Sequence, residues 1–413
     1  MRRGLAWSVA IVGSFAVFAA LIATTGAGAT SGQPALVTGP GWRAAQDIGG
    51  LAPRGPIADA AWLSVGSVPG KDTPWEDMVR TALLDVHQLC QPNGAVAAGA
   101  GSRWNYAWPR DTAFVAVALA RTGHDAEALQ ALRFLGRVQL KEGGFEARYL
   151  LDGSGPPDGR ARQSDGAGWA LWALSEVARA SGDVGTPAEL RSMLDRATTF
   201  ALTATDDGRR LPPPSPDYWE VPVRRTSLGT VAPLLAGLRA SESMYAALGE
   251  PALAERSGAA AARLRTILRQ RFAEGYERFG SPWFVGGGVD AAVTFLMPPF
   301  AESPSPQVVD AWIRYQSDAL RPAGGLAPGA GWKRDGISWT PETALVAYTA
   351  AMSGRPEVAR HWMDWLSAHR TGWGSLPEKV LADGSPAGPA PLAWTASLVI
   401  LTAAELESTS TGP

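Results

Sequence analysis

Two kinds of helical segment alternate along the chain from about residue 73 to residue 408. Segments of the first kind are amphipathic: in 251–272, Leu264, Leu268 and Phe272 share one face while arginines take the others. Segments of the second kind are apolar on nearly every face, so they must be buried on all sides. The amphipathic segments lie near 73–89, 125–140, 186–204, 251–272, 307–318 and 356–370, and the apolar ones are 112–120, 168–178, 228–245, 289–297, 343–352 and 392–406.

Six partly exposed helices that alternate with six buried ones predict two concentric rings, an (α/α)6 barrel over residues 73–408. The alternative is an all-α protein with buried central helices that do not close a ring. A helical-repeat solenoid is disfavoured because no sequence motif recurs at a fixed period. We therefore expect an all-α fold whose catalytic or binding domain is this barrel.

The first 30 residues have the pattern of an export signal. Arg2 and Arg3 precede an uncharged apolar run from Leu5 to Ala23, and the small residues 27–29 follow. The apolar run, residues 5–23, is also just long enough to span a bilayer, so a cleaved signal and a retained membrane anchor both fit. In either case we expect the rest of the chain to be extracytoplasmic, because the positively charged end stays inside.

The segments that flank the predicted barrel have little periodicity. Residues 31–72 are rich in Gly, Pro and Ala, which predicts a short irregular arm or linker after the leader of residues 1–30. Residues 409–413 are predicted to be a tail.

Composition narrows the function classes. The net charge is −2 and the basic residues are scattered, which gives no sign of a nucleic-acid surface. Cys90 is the only cysteine and the four histidines lack ligand spacing, so no internal disulfide and no thiolate metal cage is expected. We expect no metal, no cofactor and a monomer. The 17 tryptophans suit core packing and, second, stacking against sugar rings.

Two glutamates have surroundings that suit acid–base chemistry. Glu220 lies between an aromatic pair and Val221–Pro222, neighbours that exclude water without supplying a countercharge, and desolvation raises the pKa of a carboxyl group. Glu378 precedes Lys379, a cation that favours the charged form. Hydrolysis by general acid and base needs one carboxyl group of each kind. The alternative for Glu220 is a solvent-exposed residue in a Pro-rich loop.

The loops that lead into the apolar segments all carry charged and aromatic residues. In a double ring the N-termini of the inner helices emerge at one end, so these loops surround one mouth, as expected for a concave site. Each residue also has a simpler explanation: an aspartate as a helix N-cap, an Arg–Asp neighbour pair as a local ion pair, or a tryptophan as core. Residues with such alternatives are Arg110, Asp111, Asp165, Asp290, Trp104, Trp108, Trp339 and Trp394.

Four segments, in order, resemble glycoside hydrolase family 15, the glucoamylases and their six-hairpin relatives. Residues 106–111 resemble the aromatic-W-x-R-D segment of that family, and 163–166 resemble its Q-x-D-G stretch. Residues 217–220 look like the segment with its catalytic acid. Residues 376–378, followed by 383–384 and 391–394, look like the segment with its catalytic base. The similarity runs from about residue 100 to 406.

The resemblance implies specific roles. Glu220 would be the general acid and Glu378 the general base that activates water on the opposite face, with inversion at the anomeric carbon. Arg110 and Asp111 would hold hydroxyls of the terminal glucosyl unit, and a third basic contact would fall at Lys333 or Arg334. The expected substrate-binding residues are Trp108, Arg110, Asp111, Asp165, Trp219, Arg334, Trp339 and Trp394.

The chain departs from the family pattern at three places. Val221 stands where many members have a second acidic residue, so the leaving-group subsite is expected to differ. Residues 31–72 are too short for a β-sandwich, and no starch-binding module follows Glu407. We therefore expect a short soluble oligosaccharide as substrate, cleaved by an exported, inverting, exo-acting hydrolase. The alternatives are a trehalase or an isomalto-type α-glucosidase, or a membrane-tethered sugar-binding barrel without catalysis.

Overall fold

The computed structural model of the chain describes residues 56–101, 103–183, 185–280 and 287–410. The predicted leader, the 5–23 run, most of the arm and the last three residues lie outside the described residues. None of the described helices has the length and apolar character needed to cross a bilayer. The helices are α1 (Pro56–Leu63), α2 (Glu76–Leu89), α3 (Pro109–Arg121), α4 (Asp125–Val138), α5 (Asp165–Ser181), α6 (Gly185–Glu189), α7 (Arg191–Thr205), α8 (Leu228–Ala247), α9 (Pro251–Phe272), α10 (Pro306–Asp318), α11 (Thr340–Met352), α12 (Pro356–Ala368) and α13 (Ala393–Ser410), with a 3-10 helix at Ala291–Leu296.

Six elements close an inner ring. Helix α3 packs on α5, α5 on α8, α8 on the 3-10 helix, the 3-10 helix on α11, α11 on α13, and α13 back on α3. An outer helix packs on each of them: α4 on α3, α7 on α5, α9 on α8, α10 on the 3-10 helix, α12 on α11, and α2 on α13. The predicted helical barrel is confirmed, and the alternation of apolar and amphipathic segments corresponds to the two rings.

Burial explains the two compositions. Every residue of α3 from Pro109 to Ala120 is buried, and Phe114 packs on the buried rings of Trp169 and Trp172 from α5. In α12, by contrast, only four residues are buried, on one face. An inner helix has neighbours all round, whereas an outer helix has one face in water, so the outer helices keep a polar face.

The fourth inner element is shorter than predicted. The apolar stretch 289–297 forms a six-residue 3-10 helix, and all six residues are buried. Asp290 caps it by accepting a hydrogen bond from the backbone N–H of Ala292 at 2.9 Å. Pro298 and Pro299 follow, and proline lacks the N–H that a continuing helix needs. The proline pair therefore ends this element after about two turns.

A small antiparallel sheet lies beside the inner ring and was not predicted. Its strands are β1 (Ser338–Trp339), β2 (Lys379–Val380) and β3 (Pro386–Ala387), in that order. Trp339 of β1 is the register partner of Lys379 in β2. The sheet therefore ties the start of α11 to the loop that carries Glu378.

Candidate active site

A cavity of about 540 Å³ opens where the inner helices begin. Its walls come from the first turns of α3, α11 and α13 and from the loops before α8, α11 and α13. The double ring thus brings together residues that are far apart in sequence, as the sequence predicted. Eight of the ten predicted site residues line the cavity: Glu220, Glu378, Trp108, Arg110, Asp111, Trp219, Trp339 and Trp394.

Glu220 is held by three side chains from other parts of the chain. The indole N–H of Trp108 donates to its Oε1, and Arg160 Nη1 lies 2.6 Å from its Oε2. Arg110 Nη2 lies 4.0 Å from Oε1. The expectation that no countercharge surrounds Glu220 is therefore wrong. Its sequence neighbours are apolar as predicted, but the fold supplies two guanidinium groups from α3 and from the loop before α5.

The backbone at Glu220 has a φ of +54°, in the left-handed region. A residue with a β-carbon reaches this region at a cost of about 1–3 kcal/mol, so its surroundings must hold it there. The N–H of Glu220 donates to the carbonyl of Asp217 at 2.8 Å, which closes the turn. The turn directs the carboxylate of Glu220 toward Trp108 and Arg160, and away from the buried side of the loop.

A buried arginine fixes this turn from behind. Arg278 is 1% exposed, and its Nη2 lies 2.6 Å from Asp217 Oδ1. Asp217 also accepts hydrogen bonds from the Ser227 hydroxyl at 2.6 Å and from the Trp219 N–H at 3.0 Å. The guanidinium carbon of Arg278 lies 3.5 Å from the centroid of the Trp219 ring. Arg278 therefore orients both Asp217 and Trp219, the residues that precede Glu220.

Asp290 joins the same network. The hydroxyl of Tyr218 donates to Asp290 Oδ1 at 2.5 Å, and Arg278 Nη1 lies 3.8 Å from Asp290 Oδ2. Burial raises the pKa of Asp290 to about 6, although Arg278 opposes the shift. Asp290 is thus both the helix cap that its sequence position allows and a partner of the segment that carries Glu220. The sequence did not predict a role for Arg278, because its neighbours along the chain do not indicate that it pairs with buried carboxylates.

Glu378 is fixed mainly by backbone contacts. Its N–H donates to the carbonyl of Pro389 at 2.9 Å, and its own carbonyl accepts from the N–H of Thr340 at 3.0 Å. Its side chain is 12% exposed, and Lys379 Nζ lies 2.8 Å from Oε2. The cation expected from the sequence is therefore in contact with this carboxylate. A β-carbon added to Gly388 would stand 2.9 Å from Glu378 Oε2, so the opposite strand leaves space only for glycine there.

Arg110 and Asp111 form the buried ion pair that their sequence order allows, with Arg110 Nη2 3.3 Å from Asp111 Oδ2. Both side chains also line the cavity. Burial raises the pKa of Asp111 to about 6, against the opposing effect of Arg110. The guanidinium of Arg110 lies over Trp394, 4.7 Å from the ring centroid. Arg110 and Asp111 can therefore form a local ion pair and line the cavity at the same time.

Several buried donors on the cavity wall have no hydrogen-bond partner within the described protein. They are Nε and Nη1 of Arg110 and the indole N–H groups of Trp219, Trp339 and Trp394. Buried polar groups are nearly always hydrogen-bonded, and an unpaired one destabilises the fold. A ligand with many hydroxyl groups would satisfy these donors. Among the described residues, no group of three or more His, Cys, Asp or Glu side chains is placed to hold a metal ion.

Two predicted contacts are not placed in the cavity wall. Asp165 is fully buried and accepts a hydrogen bond from Trp169 on its own helix at 3.1 Å. Burial raises the pKa of Asp165 to about 7, against the opposing effect of Arg110. Arg334 is exposed on the loop before β1, as is the alternative Lys333. Neither side chain lies in the cavity wall, and a direct contact of Asp165 or Arg334 with a bound sugar stays a prediction.

Other cavity residues were not predicted. Arg103, Arg148 and Arg160 line one side, and Glu342 lines the side next to Trp339 and Glu378. The arginines lie in loops that match none of the resembling segments. Glu342 was not predicted because it lies in the first turn of an otherwise apolar helix. It is the only charged residue in α11, and a single charge in an apolar helix could have indicated a site residue.

The double ring of helices around one cavity has the architecture of the glucoamylase-like helical barrels. No known family profile matches the chain. A curated archaeal protein described as an uncharacterized glycosyl hydrolase, from Methanocaldococcus jannaschii, is 25% identical over 179 residues. Those residues are 42% of this chain and only 27% of that protein, so the chain covers about a quarter of its length.

Solved structures are similar over most of the barrel. A glycosidase variant with a glutamate replaced by alanine, in complex with glucose, has a TM-score of 0.69 at 22% identity, over 80% of this chain and 96% of that chain. A bacterial glucoamylase complexed with acarbose has a TM-score of 0.67 at 16% identity, over 80% and 55%. The glucoamylase from Saccharomycopsis fibuligera has a TM-score of 0.67 at 14% identity, over 81% and 95%. The chain therefore has the glucoamylase-like fold that the sequence predicted.

Proposed function

We propose that this protein is an exported glycoside hydrolase that releases glucose from the non-reducing end of short α-glucans, with inversion at the anomeric carbon. The observation that carries the proposal is that Glu220 and Glu378 line one cavity with unpaired indole and guanidinium donors. Carboxyl groups from different loops and a lining of donors suit a polyhydroxylated substrate with one bond to break. The glycosidases and glucoamylases of the same fold support it.

The proposed reaction uses the two glutamates in the same step. Glu378 takes a proton from water, whose oxygen attacks the anomeric carbon, while Glu220 donates its proton to the glycosidic oxygen as that bond breaks. The products are β-glucose and the shortened sugar. Lys379 Nζ lies 2.8 Å from Glu378 Oε2, and Arg110 with Asp111 holds hydroxyls of the glucosyl unit.

Arg160 must move during this reaction. A carboxyl group that has to donate a proton cannot keep a guanidinium at 2.6 Å, so the leaving sugar has to displace Arg160 from Glu220. The side chain of Arg160 is 32% exposed, which leaves it room to turn toward solvent. Val221 after Glu220 leaves this side of the site without the second acid that many related sequences carry.

The Arg160–Glu220 pair also favours a second candidate function. If the pair persists when sugar is bound, Glu220 stays engaged with Arg160 instead of the glycosidic oxygen, and the protein is a carbohydrate-binding barrel without catalysis. Trehalase or isomalto-type specificity on the same two glutamates is a variant of the first proposal. In all of these the predicted leader at residues 1–30 exports the barrel or anchors it to the membrane.

A glycan panel tests the proposal. The purified protein is incubated with maltose, isomaltose, trehalose and short maltodextrins, and the anomer of the released glucose is assigned by NMR before mutarotation. We expect β-glucose from at least one substrate, with release lost in both Glu220→Gln and Glu378→Gln. With maltotriose or longer maltodextrins, where the non-reducing unit alone is released as glucose, initial release of α-glucose contradicts inversion. Saturable sugar binding without turnover on any substrate identifies the binding barrel instead. Cell fractionation of the full chain tests export.

A further inference from the structure

Glu342 is a cavity residue that the proposed reaction does not use. It lies in the first turn of α11, is 3% exposed, and lines the cavity near Trp339 and Glu378. Its Oε2 has no hydrogen-bond partner among the described residues. The remaining oxygen is engaged with the residue's own backbone N–H. A polar atom is therefore buried at the cavity wall, and nothing in the described part of the chain satisfies it.

Helix packing does not explain this residue. An acidic side chain in the first turn of a helix is usually at the surface, where it interacts with the helix dipole in water. All other residues of α11 from Thr340 to Ala351 are uncharged and buried, so an apolar side chain would fit this helix better. Burial of a carboxyl group without a partner destabilises the fold, and such groups concentrate at functional sites.

The charges around Glu342 come from each side of the cavity. Glu378 from the loop before β2 and Asp290 from the loop before the 3-10 helix are acidic, and Arg110 from α3 is the basic neighbour. The hydroxyl of Tyr315 on α10 is a further titratable neighbour. Burial is the largest influence on Glu342 and raises its pKa to about 8. The two acidic neighbours also raise the pKa, whereas the backbone N–H and Arg110 lower it. Near neutral pH the group therefore carries a proton, and it both donates and accepts hydrogen bonds.

We propose that Glu342 is a sugar-binding residue whose protonated carboxyl group exchanges hydrogen bonds with hydroxyls of the glucosyl unit seated beside Glu378. This inference rests on the proposed function, since it names a contact in the same site. It gives the cavity three carboxyl groups with different tasks: Glu220 and Glu378 act on the bond, and Glu342 holds the ring. A neutral carboxyl group suits this task, because it adds a donor without a second negative charge next to Glu378.

Glucose binding by the full chain tests this assignment, measured by tryptophan fluorescence or calorimetry from pH 6 to pH 9.5. We expect wild-type affinity to fall as the pH passes about 8, where Glu342 ionises. Glu342→Gln keeps both a donor and an acceptor, so it should bind as wild type at pH 6 and lose the fall at high pH. Glu342→Ala should bind about tenfold more weakly at pH 6, which is the effect of one hydrogen bond of ordinary strength.

The matched control is Glu357→Gln on α12, whose side chain is 85% exposed and which should follow wild type at every pH. The inference is overturned if Glu342→Ala binds glucose as wild type does, if Glu342→Gln binds as weakly as Glu342→Ala, or if wild type binds no glucose. Should Glu342→Ala not fold, the comparison of Glu342→Gln with wild type across pH still decides. Binding without hydrolysis defeats the proposed reaction alone, whereas unchanged binding in Glu342→Ala with intact hydrolysis defeats this assignment alone.

Discussion

Glu220 and Glu378 are held by different kinds of contact. Side chains from α3 and from the loop before α5 hold Glu220, whereas backbone hydrogen bonds from the small sheet and its flanks hold Glu378. Side chains can change rotamer when a ligand arrives, while a hydrogen-bonded backbone stays in place. This difference suits an acid that must exchange partners and a base that must stay aligned with its water.

Replacing each glutamate by glutamine should have different effects on different substrates. Loss of a general acid or base lowers the rate by about 10²–10⁴-fold. A substrate whose leaving group needs no proton, such as α-glucosyl fluoride, should restore much of the rate of Glu220→Gln but none of the rate of Glu378→Gln. Steady-state kcat on maltose and on the fluoride is the measurement. Equal losses on both substrates in both variants would show that the roles are not divided in this way.

The buried arginine behind the site should matter more for stability than any surface arginine. Arg278→Met leaves Asp217 and Asp290 buried without their cation, and breaking such a pair costs about 3–5 kcal/mol. The control is Arg360→Met, which removes an exposed pair with Glu357 worth at most about 1 kcal/mol. Urea unfolding of both variants measures the difference. If Arg278→Met is as stable as the control, the network does not have the role described.

Among the helices of the inner ring, α5 and α8 approach each other closely. A β-carbon added to Gly168 would stand 2.2 Å from the carbonyl oxygen of Pro233, and one added to Gly237 would stand 2.8 Å from Gly168 Cα. The two backbones therefore touch without side chains between them. Asp165 begins α5 and the loop before α8 carries Glu220, so the spacing of α5 and α8 affects the position of Glu220 at the cavity.

Gly168→Ala should destabilise the protein although alanine is the better helix former. Overpacking typically costs about 1–3 kcal/mol, which exceeds the gain of about 1 kcal/mol from helix propensity. Gly136→Ala in α4 is the matched control, because its added β-carbon would meet nothing closer than 3.8 Å. We expect this control to be as stable as wild type or slightly more stable. Thermal melts of the two variants should therefore move in opposite directions, and a shift in the same direction would refute the close-packing argument.

For the barrel as a whole, closure of the ring buries several carboxyl groups. Burial raises the pKa of each above its value in the unfolded chain. The pKa is about 6 for Asp111 and Asp290, about 7 for Asp85 and Asp165, and about 8 for Glu342. The unfolded chain releases these protons near pH 4. The folded protein therefore binds more protons than the unfolded chain between about pH 4 and pH 8.

The stability of the protein should therefore fall as the pH rises through this window. The contribution of these groups is fully present below about pH 4 and is lost as the pH passes 6 to 8. Asp85 lies outside the cavity and accepts a hydrogen bond from the Ser375 hydroxyl at 3.1 Å. Asp85→Asn therefore tests the pH effect of one buried carboxyl group without changing the site. We expect this variant to have a flatter dependence of Tm on pH than wild type. Asp310→Asn on the exposed face of α10 is the control, and a Tm of wild type that rises from pH 5.5 to pH 8.5 would contradict the argument.

The amino-acid sequence was sufficient to predict the helices and their assignment to two rings. Whether a helix has a polar face depends on its own residues, and that face decides whether it is buried, so the information is local. The mouth followed from the same argument, because all inner helices start at one end. The 3-10 helix was the exception: its apolar composition was read correctly, but its length was set by the proline pair that follows.

The surroundings of individual site residues depended on the folded chain. Arg160 lies 60 positions from Glu220, Trp108 lies 112 positions away, and Arg278 lies 61 positions from Asp217. Contacts of this kind leave no trace in local composition, so the water-free setting expected for Glu220 was wrong, and Arg334 was expected in the cavity wall, where it does not lie. Patterns along a chain determine which residues are buried, whereas the partners that buried charges find are fixed only when distant loops meet.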